Sequence, residues 1–146
     1  EWYRPGLDLR ELMHETAALL NVCLAHRFDE IRPLVLSYKH AFQDRLDINP
    51  LQATLAQLKQ TAQRVGLTLD LGDDRLAYMD LLFSHFVEPS LGFDTPIFLI
   101  DFPPEMASLA KVRLDEDGEE VQDTLAQLLH VGVLIGGALV AVDADA

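Results

Sequence analysis

The sequence predicts a single helix-rich α+β domain, and two observations carry that prediction. Apolar residues recur at three- and four-residue steps in several capped segments, which is the helical period. Other apolar runs, punctuated by proline and glycine, are too short for helices and suit buried strands. At 146 residues, with 49% hydrophobic and 24% charged residues, the chain has the length and composition of one globular domain with a core. No repeat, low-complexity tract or linker divides residues 1–146.

The elements follow in order. Glu1–Arg4 reads as a short strand and Pro5-Gly6 as a turn. Asp8 and Glu11 form an Asp-x-x-Glu capping box, opening a helix that runs to about His26. Leu9, Leu12, Met13, Thr16, Leu19, Leu20 and Cys23 are its expected buried stripe. Arg27–Leu34 reads as a charged connector. Ser37 is placed to cap a second helix through Leu46, stacking Tyr38, Phe42 and Leu46, and Asn49-Pro50 breaks it. A third helix, about Ala53–Val65, is expected to bury Leu55, Leu58, Ala62 and Val65, with Gly66 as its C′ residue.

The stretch from Asp74 to Ala110 organises the rest. Asp73 or Asp74 can cap a helix whose apolar face is Leu76, Met79, Leu82, Phe83, Phe86 and Val87. Pro89 ends it, because proline lacks an N–H and disfavours helical backbone at Glu88. Pro96–Ile100 is a buried strand onto which Phe83 and Phe86 are expected to pack through Phe98 and Ile100. Lys111–Leu114 extends as a strand, Asp115–Glu120 is an acidic turn around Gly118, and Val121–His130 has helical spacing. Val131–Val142 carries no polar side chain and holds a Gly136-Gly137 pair, the residue type of a hairpin turn. One long strand or a buried helix are the alternatives.

Charge narrows the partners. Eleven Lys and Arg against 24 Asp and Glu leave a net charge of −13. Such a field repels phosphate, which argues against nucleic acid. No stretch reaches the ~18 consecutive apolar residues of a spanning helix, which argues against a membrane. The chain shows no signal peptide and opens on Glu1 without an initiator methionine. Cys23 is the single cysteine and forms no intramolecular disulfide, in keeping with a reducing cytoplasm.

Several motifs resemble a known family. Leu81-Leu82-Phe83, Val87-Glu88-Pro89, Gly92, Pro96-x-Phe98 and Phe102-Pro103-x-x-x-Ala107-Ser108-Leu109-Ala110 look like the middle of the class II lysyl-tRNA synthetase catalytic domain. The nearest branch is the shorter paralogue that attaches lysine or β-lysine to elongation factor P. Glu1–Gly6 is similar to the tail of that family's motif 2 strand. Ser37-Tyr38, Ala41-Phe42 and Asn49-Pro50-Leu51 also follow the paralogue, so the resemblance covers roughly residues 1–121. It implies part of a class II synthetase-like antiparallel sheet with packed helices, and a family chemistry of ATP- and Mg²⁺-dependent aminoacyl-adenylate formation.

On that resemblance Glu1 and Tyr3 are the substrate-contacting pair, meeting the amino group or carboxylate of a lysine-like ligand, or else strand-end residues left from an ancestral site. The family's phosphate-binding arginine would precede Glu1. Its glutamate-bearing strands are not matched after Glu120. Gly137–Asp143 is similar to the stem of motif 3, but Ala144 stands where its arginine should follow. The expectation is therefore a truncated derivative of a lysine ligase, inactive alone, with no catalytic residue, cofactor or metal of its own. A divergent ligase retaining ATP or lysine binding is the alternative from the enzyme class. A self-associating interaction module is the other, with homo-oligomerisation through Val131–Val142 or a protein partner. Remaining candidates read as structural. His14 and Cys23 are too far apart on one helix for a shared metal, His40 with Asp44 supplies only two ligands, and His85 is a helix flank. Asp115–Glu120 lacks the alternating ligand spacing of a calcium loop and reads as a solvated turn.

Overall fold

In a computed structural model the protein is described for residues 8–24, 30–92, 95–106, 111–123, 132–135 and 138–141. The elements are α1 (Leu9–Leu24), β1 (Leu34–Ser37), α2 (Tyr38–Leu46), α3 (Leu55–Arg64), α4 (Arg75–Leu82), β2 (Ile97–Ile100), β3 (Lys111–Leu114), β4 (Glu120–Asp123), β5 (Gly132–Ile135) and β6 (Ala138–Ala141). Four strands form a sheet in the order β1-β2-β5-β6, and β3-β4 is a separate antiparallel hairpin. Sheet and helices are mixed as expected, but the sheet is not wholly antiparallel. β1 runs parallel to β2, with Val35 opposite Phe98, while β2-β5 and β5-β6 are antiparallel.

Local chemistry explains the helix ends. The Asp8 N–H donates to Glu11 Oε2 and the Glu11 N–H to Asp8 Oδ1, both at 2.8 Å, so the acidic capping box at α1 is reciprocal. Ser37 caps α2, Thr54 and Gln57 make a capping box at α3, and Asp74 caps α4. At the end of α3, Leu67 N–H bonds to Ala62 O and Gly66 N–H to Gln63 O, a Schellman closure that requires the φ of +87° at Gly66. Beyond Leu82 the chain continues through a π-helical turn, Phe83–Val87, and a 3-10 turn, Glu88–Ser90, before it leaves at Pro89 and Ser90. Proline removes the N–H that another α-turn would need.

The sheet separates two apolar layers. On one side Tyr38, Phe42, Leu46, Leu58, Ala62, Met79, Leu82 and Val87 pack with Ile97 and Leu99. On the other side Met13 of α1 meets Phe98, flanked by Leu9, Ala17, Leu20 and Ile100. The expected contact of Phe83 and Phe86 with Phe98 and Ile100 is therefore wrong by one face. A strand alternates its side chains, so the helical layer receives Ile97 and Leu99, and α1 receives the other two. Phe83 and Phe86 are half-buried, and Phe83 stacks on Tyr38 with ring centroids 5.1 Å apart.

Three more expectations change. Leu19 and Cys23 are exposed. Leu9, Met13, Ala17 and Leu20 form the face of α1 that meets Phe98, and Leu19 and Cys23 lie off that face. Residues 34–37, read as connector and cap, form β1. Residues 121–123, read as the start of a helix, pair in β4. The rest of that helical reading, 124–130, lies outside the described residues, as do the strand and turn expected at 1–6. The hairpin reading of the apolar C-terminal run fits the antiparallel pairing of β5 and β6, in which Ile135 faces Ala138. Residues 131, 136, 137 and 142 lie outside the described set.

Tyr38 fills the centre of the helical layer, yet its hydroxyl has no hydrogen-bond partner among the described residues. Burial raises its pKa, the Asp80 charge adds to the rise, and Arg75 opposes it. An unpartnered buried hydroxyl costs about 1–3 kcal/mol. Tyr38→Phe, which keeps the ring, is expected to hold or raise stability by about 1 kcal/mol in chemical denaturation. A clear loss would show that the hydroxyl is satisfied.

Candidate functional site

A cleft of about 1140 Å³ lies between α1, the connector at 30–33, the β1-β2 face of the sheet, and the acidic end of the β3-β4 hairpin. Asn21 shapes one wall. Its side chain donates to Ile31 O at 2.8 Å and accepts from the Ile31 N–H at 2.6 Å, so it binds the connector as a second strand would. Apolar floor residues are Met13, Phe98 and Ile100, and charged groups occupy the rim.

The most organised polar constellation sits at the acidic end. Lys39, on the first turn of α2, is buried, 4% exposed. Its Nζ donates to Asp115 Oδ2 at 2.5 Å, Asp117 Oδ2 at 2.7 Å and Glu119 Oε2 at 2.8 Å. Glu119 also accepts from Asn49 Nδ2 at 2.8 Å, and Asp115 Oδ1 accepts from the N–H groups of Asp117 and Glu119. Gly118, at φ +79°, lets the loop turn within this cage. The Asp115 and Glu119 side chains are nearly buried while Asp117 is exposed, so the loop is not the solvated turn its composition suggests. These three carboxylates have a geometry a metal ion could share, but the lysine ammonium stands where the cation would.

The charges respond to that arrangement. Burial disfavours the charge on Lys39, but hydrogen bonds to Asp115, Asp117 and Glu119 outweigh it and raise its pKa above the ordinary lysine value. Burial likewise opposes ionisation of Asp115, and Lys39 with the Glu119 and Asp117 amides outweighs it, so its pKa is lowered. The raised lysine value means its contribution to stability is complete below the ordinary lysine range and lost as pH rises through the folded-state value. The lowered aspartate value gives a contribution present above the ordinary carboxylate range and lost as pH falls through its folded-state value. The cage is thus intact across neutral pH. Asp101, at the end of β2 with φ +58°, pairs with Arg113, yet its pKa is raised because burial outweighs that cation.

Glu1 and Tyr3, the expected substrate contacts, lie outside the described residues. His14 and His40 line the cleft and Cys23 does not. His40 Nδ1 lies 2.8 Å from Ser37 Oγ, a contact local to the α2 cap. His85 is exposed and contacts Leu81 O and Ser84 Oγ on its own helix, as a flank residue does. The sequence reading missed Lys39 and Asn49. A polar Lys in a helix whose neighbours Tyr38, Ala41 and Phe42 are all buried was the available signal.

The fold and cleft define an α+β domain with a charged, cleft-forming face. No protein-family model matches the chain. It is 42% identical to the elongation factor P–(R)-beta-lysine ligase of Klebsiella pneumoniae strain 342 over 115 residues, which is 77% of this chain and 34% of that protein. The ligases of that name from Pectobacterium atrosepticum and Yersinia pestis strain Pestoides F are each 40% identical over 80% of this chain and 35% of their own length. Over that matched portion the chain is homologous to the elongation factor P–(R)-beta-lysine ligases. It spans about a third of the length of these curated relatives. Among the described residues no helix is long and apolar enough to cross a membrane.

Proposed function

We propose that this chain is part of a class II lysyl-tRNA synthetase-like, ATP-dependent lysine ligase domain directed at elongation factor P, and that alone it does not perform the adenylation step. The single observation that carries the reading is the 42% identity over 77% of the chain to ligases named for that reaction. Chemistry in the cleft supports the second half. Binding a triphosphate calls for converging guanidinium forks with donors to spare. Three arginines line the cleft, Arg10, Arg32 and Arg113, and two of them are engaged, Arg32 with Glu30 at 2.8 Å on the exposed rim and Arg113 with Asp101. The Asp115, Asp117 and Glu119 carboxylates hold an ammonium rather than facing an open magnesium position. With one guanidinium, Arg10, outside these pairs and the carboxylates filled by an ammonium, the described residues do not fit ATP with Mg²⁺.

Lysine- or (R)-β-lysine-dependent ATP–pyrophosphate exchange tests the proposal. The purified chain is expected to give no exchange above a no-enzyme control, since losing even one preorganised electrostatic group costs about 2.7–4 kcal/mol. Exchange clearly above that control would establish a self-sufficient ligase instead. A second reading, self-association into a homo-oligomer, is favoured by the position of β6, which ends the sheet order β1-β2-β5-β6.

A further inference from the structure

Among the described residues the β3-β4 hairpin belongs to no other sheet, and it is fastened to the body at three points that differ in kind. At its base Val121 is fully buried, and Gln122 donates from its N–H to Phe102 O and from Nε2 to Pro103 O, at 3.0 and 2.9 Å. Midway, Arg113 pairs with Asp101. At the tip, Lys39 and Asn49 of the α2 region hold the carboxylates. The base is secured by burial and backbone bonding, and the tip by side-chain bonds alone, three from the Lys39 ammonium and one from the Asn49 amide.

That tip is under internal stress. Residues 115–120 carry five carboxylates, Asp115, Glu116, Asp117, Glu119 and Glu120, and no cation of their own. Like charges at these separations repel, and the repulsion grows as water is excluded. Around Lys39 the charged and titratable groups are Asp115, Asp117 and Glu119, with Glu116, Asp101 and Arg113 further along the cleft rim and His40 next to it on α2. Arg113 is committed to Asp101. Lys39 is therefore the cation that holds the tip, and the carboxylates it gathers form the acidic end of the cleft.

We propose that the hairpin is a strap across the acidic end of the cleft and that Lys39 is its latch: with the ammonium seated among Asp115, Asp117 and Glu119 the strap is closed. With it unseated, charge repulsion lifts the tip while Val121 and Gln122 keep the base attached. Opening would widen the cleft beside Asp101 and Arg113 and expose the Asp115 and Glu119 carboxylates, which would join Glu116 and Asp117, already exposed, at the cleft rim. The inference concerns these residues of the chain and stands whether or not the ligase reading above is correct.

Native-state amide hydrogen exchange on the full chain tests it. Asp117 and Glu119 donate their N–H groups to Oδ1 of Asp115, the carboxylate whose Oδ2 Lys39 holds, so these two amides report whether the latch is seated. In the unmodified protein they should exchange together through an opening smaller than global unfolding, with Gln122 and the α3 amides still protected. If they exchange only through global unfolding, the hairpin is no separate unit and the proposal fails. Lys39→Met should speed exchange at Asp117 and Glu119 by about tenfold or more, the factor expected from losing one charge-assisted hydrogen bond. Unchanged protection in that variant would overturn the latch. Lys39→Ala supplies a further arm, in which methylammonium at high concentration should restore protection at Asp117 and Glu119. Failure of methylammonium where the variant is folded would show that the ammonium does not hold the tip. Should both variants unfold, the exchange pattern of the unmodified chain decides.

Discussion

Phe42→Ala should lower the free energy of unfolding by about 3–5 kcal/mol, the cost of deleting a core aromatic and leaving a cavity that neighbours fill only in part. Phe42 is 0% exposed, and its ring centroid lies 4.9 Å from that of Tyr38 and 6.2 Å from that of Phe83. It sits where α2 meets the π-helical turn after α4, among Leu46, Leu58, Ala62, Met79 and Leu82. The aromatic contacts add to the loss of buried area. Phe83→Ala is the control. Its ring stacks on Tyr38 but is half-buried, so its truncation should cost less. Denaturant midpoints for the two variants decide the matter. A smaller shift for Phe42→Ala than for Phe83→Ala would mean that the centre of the helical layer has been misplaced.

The helices were legible because their ends are written in local chemistry. Asp8 with Glu11, Ser37, Thr54 with Gln57, Asp74 and Gly66 each act within four residues of themselves, and a single sequence displays such interactions directly. The strands were less legible, for two reasons. β1 keeps Leu34 and Val35 exposed, so its four residues lack the alternation that marks a half-buried strand, and the charges before it suggested a connector. β2 is covered on both faces, so Ile97–Ile100 is apolar throughout and nothing in it says which residues face which layer. The spacing of Val121, Leu125 and Leu128 suited a helix, but residues 121–123 are claimed by pairing with β3. Tertiary pairing overrides a local period of that strength.

The cleft was legible in its parts and not in its assembly. The acidic run at 115–120 is plain in the sequence, and so is a lysine between apolar neighbours. What the sequence does not display is that Lys39 and Asp115, 76 residues apart along the chain, meet with Nζ 2.5 Å from Oδ2. Nothing local distinguishes a lysine destined for burial from a solvated one until the carboxylates that neutralise it are located. The synthetase resemblance points to Glu1 and Tyr3, which lie outside the described residues, and the ligase homology supports the resemblance as a whole.

Self-association should appear in light scattering as a particle of about twice the 16.3 kDa chain mass, or a larger even multiple. The argument begins at the end of the sheet. β6 pairs with β5 along one side, with Leu139 opposite Leu134, and it has no second strand neighbour among the described residues. Residues 131–142 carry no charge and no polar side chain, so none of the lysines, prolines or inward charges that usually blunt a sheet edge is present there. An edge of this kind pairs with another strand wherever one is available. In a solution of identical chains the available strand is a second β6, and antiparallel pairing of two copies closes under a two-fold axis that covers both β6 edges and leaves β1 at the two ends of the joined sheet. The occupant we expect is therefore a second copy of the chain, with β6, residues 138–141, at the centre of the interface. Leu134→Lys combined with Leu139→Lys places two charges at register-paired positions, where like charges facing each other across strands are unfavourable. That double variant should be monomeric or fail to remain soluble. A wild-type particle of 16.3 kDa at micromolar concentration would refute self-association. A double variant that keeps the wild-type oligomer would move the interface away from these strands.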